Sequence, residues 1–235
     1  MHPLLLLAVG ALLVPLALPS AADYAIGPPA PASEPIAFSG GCPPSDYGAW
    51  LWRCLFVGSI QDPTLIFFRW DFEGDGIWDT PWSTELVVAH DSSNLGALRV
   101  TMQGWDGVST RDREPFGPTA SKNLVLGGAL GFFPSAWDRS STGWASLSWE
   151  VPAGVQPPVG RPADARIFLV GGSDGVRAFP LPRAPRLGLE PTVLAFRLDK
   201  ASISQSFGPG SHAVFLWGHW GDFDFSTLPM TVTVL

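Results

Sequence analysis

The chain has 235 residues, of which 46% are hydrophobic and 15% are charged, and its formal net charge is −7. A disordered chain lacks this much apolar surface, so the composition excludes that class. The sequence contains no basic stripe, so nucleic acid is not an expected partner. The 26 glycines and 24 prolines are scattered between short apolar runs, which is typical of an all-β protein with many turns.

The first 22 residues are predicted to be a signal peptide. An apolar run from Leu4 to Leu18 is shorter than a comfortable membrane span, and small residues of the kind found at cleavage sites follow it. The segment before the run lacks Lys and Arg, and an uncleaved membrane anchor is the alternative. Residues 23–34, rich in Ala and Pro, are expected to form an extended linker. We therefore expect a secreted, extracellular protein that is free or associated with the cell surface.

The chain contains two cysteines, Cys42 and Cys54. An even number of cysteines in an exported chain favours a disulfide, and the spacing is not that of a redox or metal-binding C-x-x-C pair. Closing a loop of this size stabilises a chain by about 3 kcal/mol in the chain-entropy model. The sequence therefore predicts a structural disulfide between Cys42 and Cys54.

Short apolar and alternating runs predict strands along the whole chain. In the run 65–72, Ile66, Phe68, Trp70 and Phe72 share one face of a strand by the two-residue period. Further runs lie at 54–57, 85–89, 97–103, 123–126, 145–151, 165–170, 176–179, 193–198, 213–217 and 230–235. No window of ten or more residues shows a helical stripe. The pattern predicts two β-sandwiches in tandem, residues 35–126 and residues 127–235.

The segment from Phe68 to Gly76 reads F-R-W-D-F-E-G-D-G and resembles the signature of the PKD domain, an Ig-like β-sandwich. Val57-Gly58-Ser59 and the strand 96–102 are similar to two further elements of that family. Their order and spacing match over about residues 35–126. The resemblance implies an extracellular spacer or interaction module without catalytic activity of its own.

Four residues of the segment have structural roles that the resemblance implies. Trp70 and Phe72 would lie in the core between the two sheets, and Gly74 and Gly76 would supply turn conformations that a Cβ atom disfavours. Nothing in residues 127–235 resembles a family as clearly, and the strand pattern there predicts an Ig-like or carbohydrate-module-like sandwich.

Four carboxylates surround the two glycines: Asp71, Glu73, Asp75 and Asp79. Calcium prefers several oxygen ligands from a sharply turning loop, and this stretch partly copies a D-x-D-x-D-G calcium loop. The alternative is that the acids hydrogen-bond the backbone of the turn. The carboxylates are therefore a candidate calcium site, and calcium is the one cofactor that the sequence suggests.

Two patterns in the second half suggest catalysis or zinc binding, and a simpler explanation is favoured for both. Residues 171–175 match the G-x-S-x-G pattern of a hydrolase, but a strand follows where that elbow needs a helix, so a hairpin turn is preferred. His212, His219 and nearby acids offer too few converging ligands for zinc at this spacing. We expect no enzymatic activity.

The segment Trp217-Gly-His-Trp220-Gly-Asp222 has the composition of a sugar-binding loop. Exposed indole rings stack on sugars, and His219 and Asp222 would bind hydroxyl groups. The alternative is that Trp217 and Trp220 are core residues of a sandwich.

These patterns together favour a secreted adhesion or scaffold protein without catalytic function. Its expected partner is an extracellular protein or a polysaccharide, and nucleic acid is not expected. One alternative is an accessory protein whose second domain binds polysaccharide through exposed tryptophans. Another is a structural subunit of a surface layer or filament, which would self-associate through exposed strand edges.

Overall fold

The computed structural model describes residues 34–45, 52–155, 162–170, 172, 175–181 and 192–235. The predicted signal peptide and all of the predicted linker except Glu34 lie outside these residues. The predicted all-β class is confirmed, because 57% of the structure is strand and a single short helix is present in the described part.

The first half contributes eight strands to the described structure. They are β1 (Ile36–Gly41), β2 (Trp52–Ile60), β3 (Phe67–Asp71), β4 (Val87–Ser92), β5 (Gly96–Trp105), β6 (Thr110–Arg111), β7 (Glu114–Pro115) and β8 (Thr119–Leu126). The second half contributes β9 (Leu130–Phe133), β10 (Ala136–Trp137), β11 (Trp144–Glu150), β12 (Ala163–Leu169), β13 (Gly175–Arg177), β14 (Phe179–Pro180), β15 (Val193–Asp199), α1 (Lys200–Phe207), β16 (Gly210–Trp220), β17 (Phe223–Ser226) and β18 (Met230–Val234).

One nine-stranded sheet, here called the shared sheet, runs through both halves of the chain. Its order is β10-β18-β16-β17-β8-β5-β3, and β12 and β13 extend it beside β16. The first cover sheet consists of β1, β2 and β4, and the second cover sheet of β14, β15, β11 and β9. The two predicted sandwiches are therefore present, but they share a sheet across the expected boundary after residue 126. The sequence did not predict this continuity.

Strand β8 contributes to both hydrophobic cores. Leu124 and Leu126 pack in the core beneath the first cover sheet, whereas Val125 packs in the core beneath the second. Successive side chains of a strand point to opposite faces. The two cover sheets consequently lie on opposite faces of the shared sheet.

Trp70 lies at the centre of the first core and is 2% exposed. Its ring is 5.1 Å from that of Phe38 in an edge-to-face contact and 5.9 Å from that of Phe56 in a stacked one. These contacts cross between the shared sheet and the first cover sheet. Aromatic pairs in such geometries contribute about 0.5–1.5 kcal/mol beyond the burial of their area.

The predicted disulfide between Cys42 and Cys54 is confirmed. Cys42 follows β1 directly and Cys54 lies in β2, so the bond closes the connection between two antiparallel neighbours. Both sulfur-bearing side chains are buried in the first core.

Helix α1 was not predicted, because its eight residues are shorter than the ten-residue window in which a helical stripe was sought. The Asp199 side chain accepts a hydrogen bond from the Ser202 backbone N–H at 3.0 Å and caps its start. Gly208, with a φ of 72°, ends it. Within the described residues, no helix is both long and apolar enough to cross a membrane.

The burial of Trp70 generates the first prediction. The substitution Trp70→Ala is expected to lower the free energy of unfolding by about 3–5 kcal/mol, because it leaves a large cavity between two sheets. Chemical denaturation measures this. The control is Trp144→Ala, where the indole is 50% exposed and the expected loss is about 1 kcal/mol or less. Equal losses for the two variants would contradict the central position of Trp70.

Candidate functional site

The uncovered face of the shared sheet at β3 and β5 carries an aromatic and cationic cluster. Phe67 and Arg69 alternate with the buried Phe68 and Trp70, so they point away from the first core. Phe67 pairs across the strands with Trp105, and their rings are 5.5 Å apart.

Two tryptophans from the loop after β3 complete this cluster. The guanidinium of Arg69 lies 4.2 Å from the ring centre of Trp78 and 4.4 Å from that of Trp82. Trp82 in turn contacts Trp105, with 5.4 Å between ring centres. We call Phe67, Arg69, Trp78, Trp82 and Trp105 the aromatic face.

Backbone hydrogen bonds hold the loop against the edge strand β3. Phe68 and Ser83 exchange two such bonds, of 2.7 Å and 2.9 Å, and Asp79 N–H donates to the Trp70 carbonyl at 2.8 Å. The loop therefore acts as an additional short strand at the edge of the shared sheet. This anchoring fixes the positions of the two loop tryptophans.

The Arg69 side chain is half-buried, and only part of its hydrogen-bonding capacity is used. Its Nε donates to Gln103 Oε1 at 2.9 Å, and no acceptor within the described part of the chain pairs with its Nη atoms. Burial lowers the pKa of Arg69, while the negative charge of Glu114 opposes the shift. The guanidinium stays charged because an arginine pKa is too high to reach neutrality in proteins. The aromatic face thus presents a cation with free donors.

Large apolar side chains next to the aromatic face are exposed. Ile77 precedes Trp78 and is 68% exposed, and Val108 is 82% exposed in the turn that Trp105 closes by donating to the Ser109 carbonyl. Ile66, before Phe67, is 48% exposed. Exposed apolar side chains around half-buried aromatic rings and an arginine are typical of contact surfaces.

The acidic turn before the two loop tryptophans is organised by Asp71. Its carboxylate accepts a hydrogen bond from Gly74 N–H at 2.6 Å and another from Gly76 N–H at 3.0 Å. Both glycines have positive φ, 72° and 85°, and a Cβ on Gly74 would lie 2.5 Å from the Arg99 carbonyl oxygen. The Asp71 carboxylate therefore hydrogen-bonds the backbone of the turn, as the alternative to a calcium site predicts.

Three of the four candidate calcium ligands lie together. Oxygen atoms of Asp71, Glu73 and Asp79 are within 4.8 Å of one another, whereas Asp75 lies outside the group and accepts from Ile77 N–H at 2.8 Å. Burial raises the pKa of Glu73, and Asp79 raises it further through a hydrogen bond and its charge. His90 opposes these effects from a distance of 3.4 Å. The calcium site stays a prediction.

A second polar cluster lies where β8, β16 and β17 meet. Asp224 is 1% exposed, its Oδ2 is in contact with Lys122 Nζ, and its Oδ1 lies 2.9 Å from His219 Nδ1. Asn123 donates to the exposed Asp222 at 3.1 Å. These residues and Glu34 line a groove of about 410 Å³ beside β1. The buried Asp224 carboxylate of β17 thus contacts Lys122 of β8 and His219 of β16, the two strands beside β17 in the shared sheet.

The interpretation of Trp217 and Trp220 as exposed stacking surfaces is wrong. They are only 2% and 3% exposed, so neither indole offers a face to a sugar. A Cβ on Gly41 would lie 2.5 Å from Trp217, and Trp220 packs edge-to-face on Trp149 in the second core. Both lie on the long strand β16, whose opposite faces are both covered here.

The two remaining residues of the predicted sugar site, His219 and Asp222, do line the groove. His212 lies at the other end of β16 and contacts the Gly208 carbonyl at 3.1 Å, so it does not join His219. The predicted turn at 171–175 lies mostly outside the described residues. Around it, β12 and β13 pair as an antiparallel hairpin.

No protein-family model and no curated protein matches the chain. Solved structures that are similar to it include two proteins with β modules. One is FdeC, an Escherichia coli adhesin, with 11% identity and a TM-score of 0.30, covering 86% of this chain. The chain spans 65% of that structure, slightly under two thirds.

The other structure contains the fibronectin(III)-like modules of Clostridium thermocellum CbhA, with 9% identity and a TM-score of 0.27. That match covers 85% of this chain and 93% of the other. Similarities at these TM-scores support no conclusion about function. The PKD resemblance of residues 35–126 stays a prediction.

The raised pKa of Glu73 generates a prediction about stability. The pKa of Glu73 is higher in the folded state than the value of 4.5 expected in the unfolded state. Its contribution to stability is therefore fully present below pH 4.5 and is lost as the pH rises through the folded pKa. Glu73→Gln should therefore stabilise the protein by about 0.5 kcal/mol at pH 7, after discounting for solvent exposure, and have no effect at pH 4. Thermal melts in chelator measure this.

Asp75→Asn is the matched control, because Asp75 lies outside the carboxylate group and an amide oxygen still accepts from Ile77. Equal stabilisation by both substitutions would contradict the repulsion between Glu73 and Asp79. Repeating the melts with calcium checks the calcium prediction, since a bound cation would make Glu73→Gln destabilising.

The pair of His219 and Asp224 generates a prediction with a defined pH range. The hydrogen bond to Asp224 raises the pKa of His219 above its ordinary value of 6.5. The stabilisation that the pair of His219 and Asp224 contributes is therefore complete below pH 6.5, and it disappears as the pH rises through the folded pKa of His219. We expect His219→Gln to cost about 1 kcal/mol at pH 5.5, after discounting for solvent exposure, and less above pH 8.

Denaturation at several pH values measures this difference. His212→Gln is the control, because His212 contacts a backbone carbonyl and, in the part of the chain that the structure describes, no carboxylate. A cost of His219→Gln that is independent of pH would rule out the ion pair.

Proposed function

We propose that this protein is a non-catalytic extracellular binding protein of the adhesion or scaffold type. The surface that contacts its partner is the aromatic face on the first sandwich. The observation that supports this most is the position of Arg69 between Trp78 and Trp82, 4.2 Å and 4.4 Å from their ring centres.

The arrangement suits binding because it is rigid before a partner arrives. Tryptophan and arginine side chains that are already held lose little conformational entropy on association. Here the loop is anchored to β3, Gln103 holds Arg69, and cation–π contacts of about 0.5–2 kcal/mol each fix the rings. Tryptophan and arginine are also the residues most enriched at the energetic centres of interfaces.

Two polar side chains act on the arginine of the aromatic face. Its polar neighbours are Gln103, which is bonded to Arg69, and Glu114, whose charge acts on Arg69. The antiparallel hairpin of β12 and β13 is not the strand–turn–helix element that the G-x-S-x-G pattern of a hydrolase requires. These features support a binding protein over an enzyme.

Two features support an extracellular location. A disulfide such as Cys42–Cys54 forms and persists in oxidising compartments. The signal-peptide pattern of residues 1–22 agrees with export. Partners in that location are extracellular proteins and polysaccharides.

Solid-phase retention tests the proposal. The chain is applied to cellulose, chitin, xylan and pectate, and to immobilised collagen and fibronectin. We expect retention on at least one of these probes, and at least a tenfold loss of affinity for Trp82→Ala. Trp82 lies on Arg69 and also contacts Trp105, so its removal disrupts the centre of the aromatic face.

Trp144→Ala is the matched control. Trp144 is a half-exposed tryptophan with its own cation–π partner, Arg197 at 4.5 Å, but it lies on the second cover sheet. Its removal should leave retention unchanged. Retention on none of the probes, or equal retention of the wild-type chain and Trp82→Ala, would contradict the proposal.

A further inference from the structure

We propose that the aromatic face binds a glycan through a uronic acid residue, whose carboxylate pairs with the Nη atoms of Arg69 while its ring lies against the tryptophans. This inference rests on the proposed function and names the class of ligand for the same surface. It follows from the donors that Arg69 leaves free and from the rings around them.

The first step is the hydrogen-bonding state of the guanidinium. Its Nε is committed to Gln103 Oε1 at 2.9 Å, which leaves the two Nη groups as a planar fork. Within the described residues these groups have no acceptor. A planar fork of donors matches a carboxylate, which accepts two parallel hydrogen bonds.

The second step is the environment of that fork. The ring centres of Trp78 and Trp82 lie 4.2 Å and 4.4 Å from the guanidinium, and the guanidinium is partly desolvated. Charge-assisted hydrogen bonds strengthen where water is excluded, because the local dielectric falls. A carboxylate is therefore preferred over a neutral hydroxyl group at this position.

The third step concerns the rest of the ligand. The ring centres of Trp105 and Trp82 are 5.4 Å apart with the planes tilted by 47°, and Phe67 also contacts Trp105, with 5.5 Å between ring centres. Rigid aromatic rings beside a charged donor suit a pyranose, whose C–H face packs on a π system while its substituents form hydrogen bonds. A carboxylate attached to such a ring is a uronic acid.

The fourth step is the charge of the protein. The net charge of −7 lies in the first half of the chain, so a densely charged polyanion is repelled. A mostly neutral glycan with isolated uronic acids avoids this repulsion. Glu114 is the acid whose charge acts on Arg69, and it opposes an incoming carboxylate.

Calorimetry with two oligosaccharides tests the inference. One probe is a xylo-oligosaccharide with a single glucuronic acid branch, and the other is the same molecule with its carboxyl group reduced to an alcohol. We expect the acid to bind at least tenfold more tightly. Arg69→Gln should abolish this difference, and Arg69→Lys should retain part of it, because lysine keeps the charge but not the fork.

The substitution Glu114→Gln is expected to raise the affinity for the acidic probe, whereas the Arg69 substitutions lower it. Glu114 is exposed on the short strand β7, so the substitution leaves the cores intact. It should tighten binding of the acidic probe two- to fivefold and leave the reduced probe unchanged. Thermal melts of all variants show whether a loss of binding is a loss of folding.

The outcomes separate the two proposals. Equal affinity for both probes, with a loss for Trp82→Ala, overturns the uronic acid and leaves the aromatic face as the binding surface. An acid preference that survives Arg69→Gln also overturns the inference. Absence of binding to both probes overturns it as well, and the retention panel above then decides the proposed function independently.

Discussion

The parallel pairing of β8 with β17 is the contact on which the architecture depends, because it joins strands from the two halves of the chain in one sheet. Asn123 to Leu126 pair with Phe223 to Ser226 in register. Every residue of β8 then has a fixed face, and Leu124 and Val125 enter different cores. A slip of one residue would exchange the two sets and place Lys122 on the opposite face. The register of this pairing therefore determines which side chains of β8 enter each of the two cores.

Asp224 reinforces that register at an energetic cost. A buried carboxylate is strongly disfavoured unless cations and hydrogen bonds compensate it, and Lys122 and His219 supply both. Lys122 belongs to β8, His219 to β16 and Asp224 to β17, so the ion pairs form only in the correct alignment. We therefore expect these ion pairs to contribute more to specifying the pairing of β8 with β17 than to overall stability.

The aromatic face is the outer side of the elements that build the first core. Trp70 points inward from β3 and Arg69 points outward, and the Asp71 carboxylate folds the turn that brings Trp78 and Trp82 back over Arg69. The acidic turn that the sequence offers as a calcium loop therefore has a second consequence. It determines where the loop tryptophans lie, whether or not a cation binds there.

The sequence predicted those features of the fold that depend on residues close together in the chain. Short apolar and alternating runs predicted β3, β5, β11 and β15, and the cysteine count predicted the disulfide. Contacts between distant segments were beyond it: β8 and β17 are far apart in the chain, and no local pattern encodes their parallel pairing. Burial of Trp217 has the same origin, because Gly41, which packs against it, comes from the first half of the chain.

The aromatic face was missed for a related reason, although a signal for it existed. Its members come from β3, β5 and one loop, so no single segment looks like a site. Phe67 and Arg69, however, occupy the positions of β3 that alternate with the core residues Phe68 and Trp70. Several large aromatic side chains grouped on the outward side of a sheet mark a contact surface. The loop tryptophans cover Arg69, but its Nη donors have no acceptor among the described residues, and this incomplete cover supports the proposed ligand.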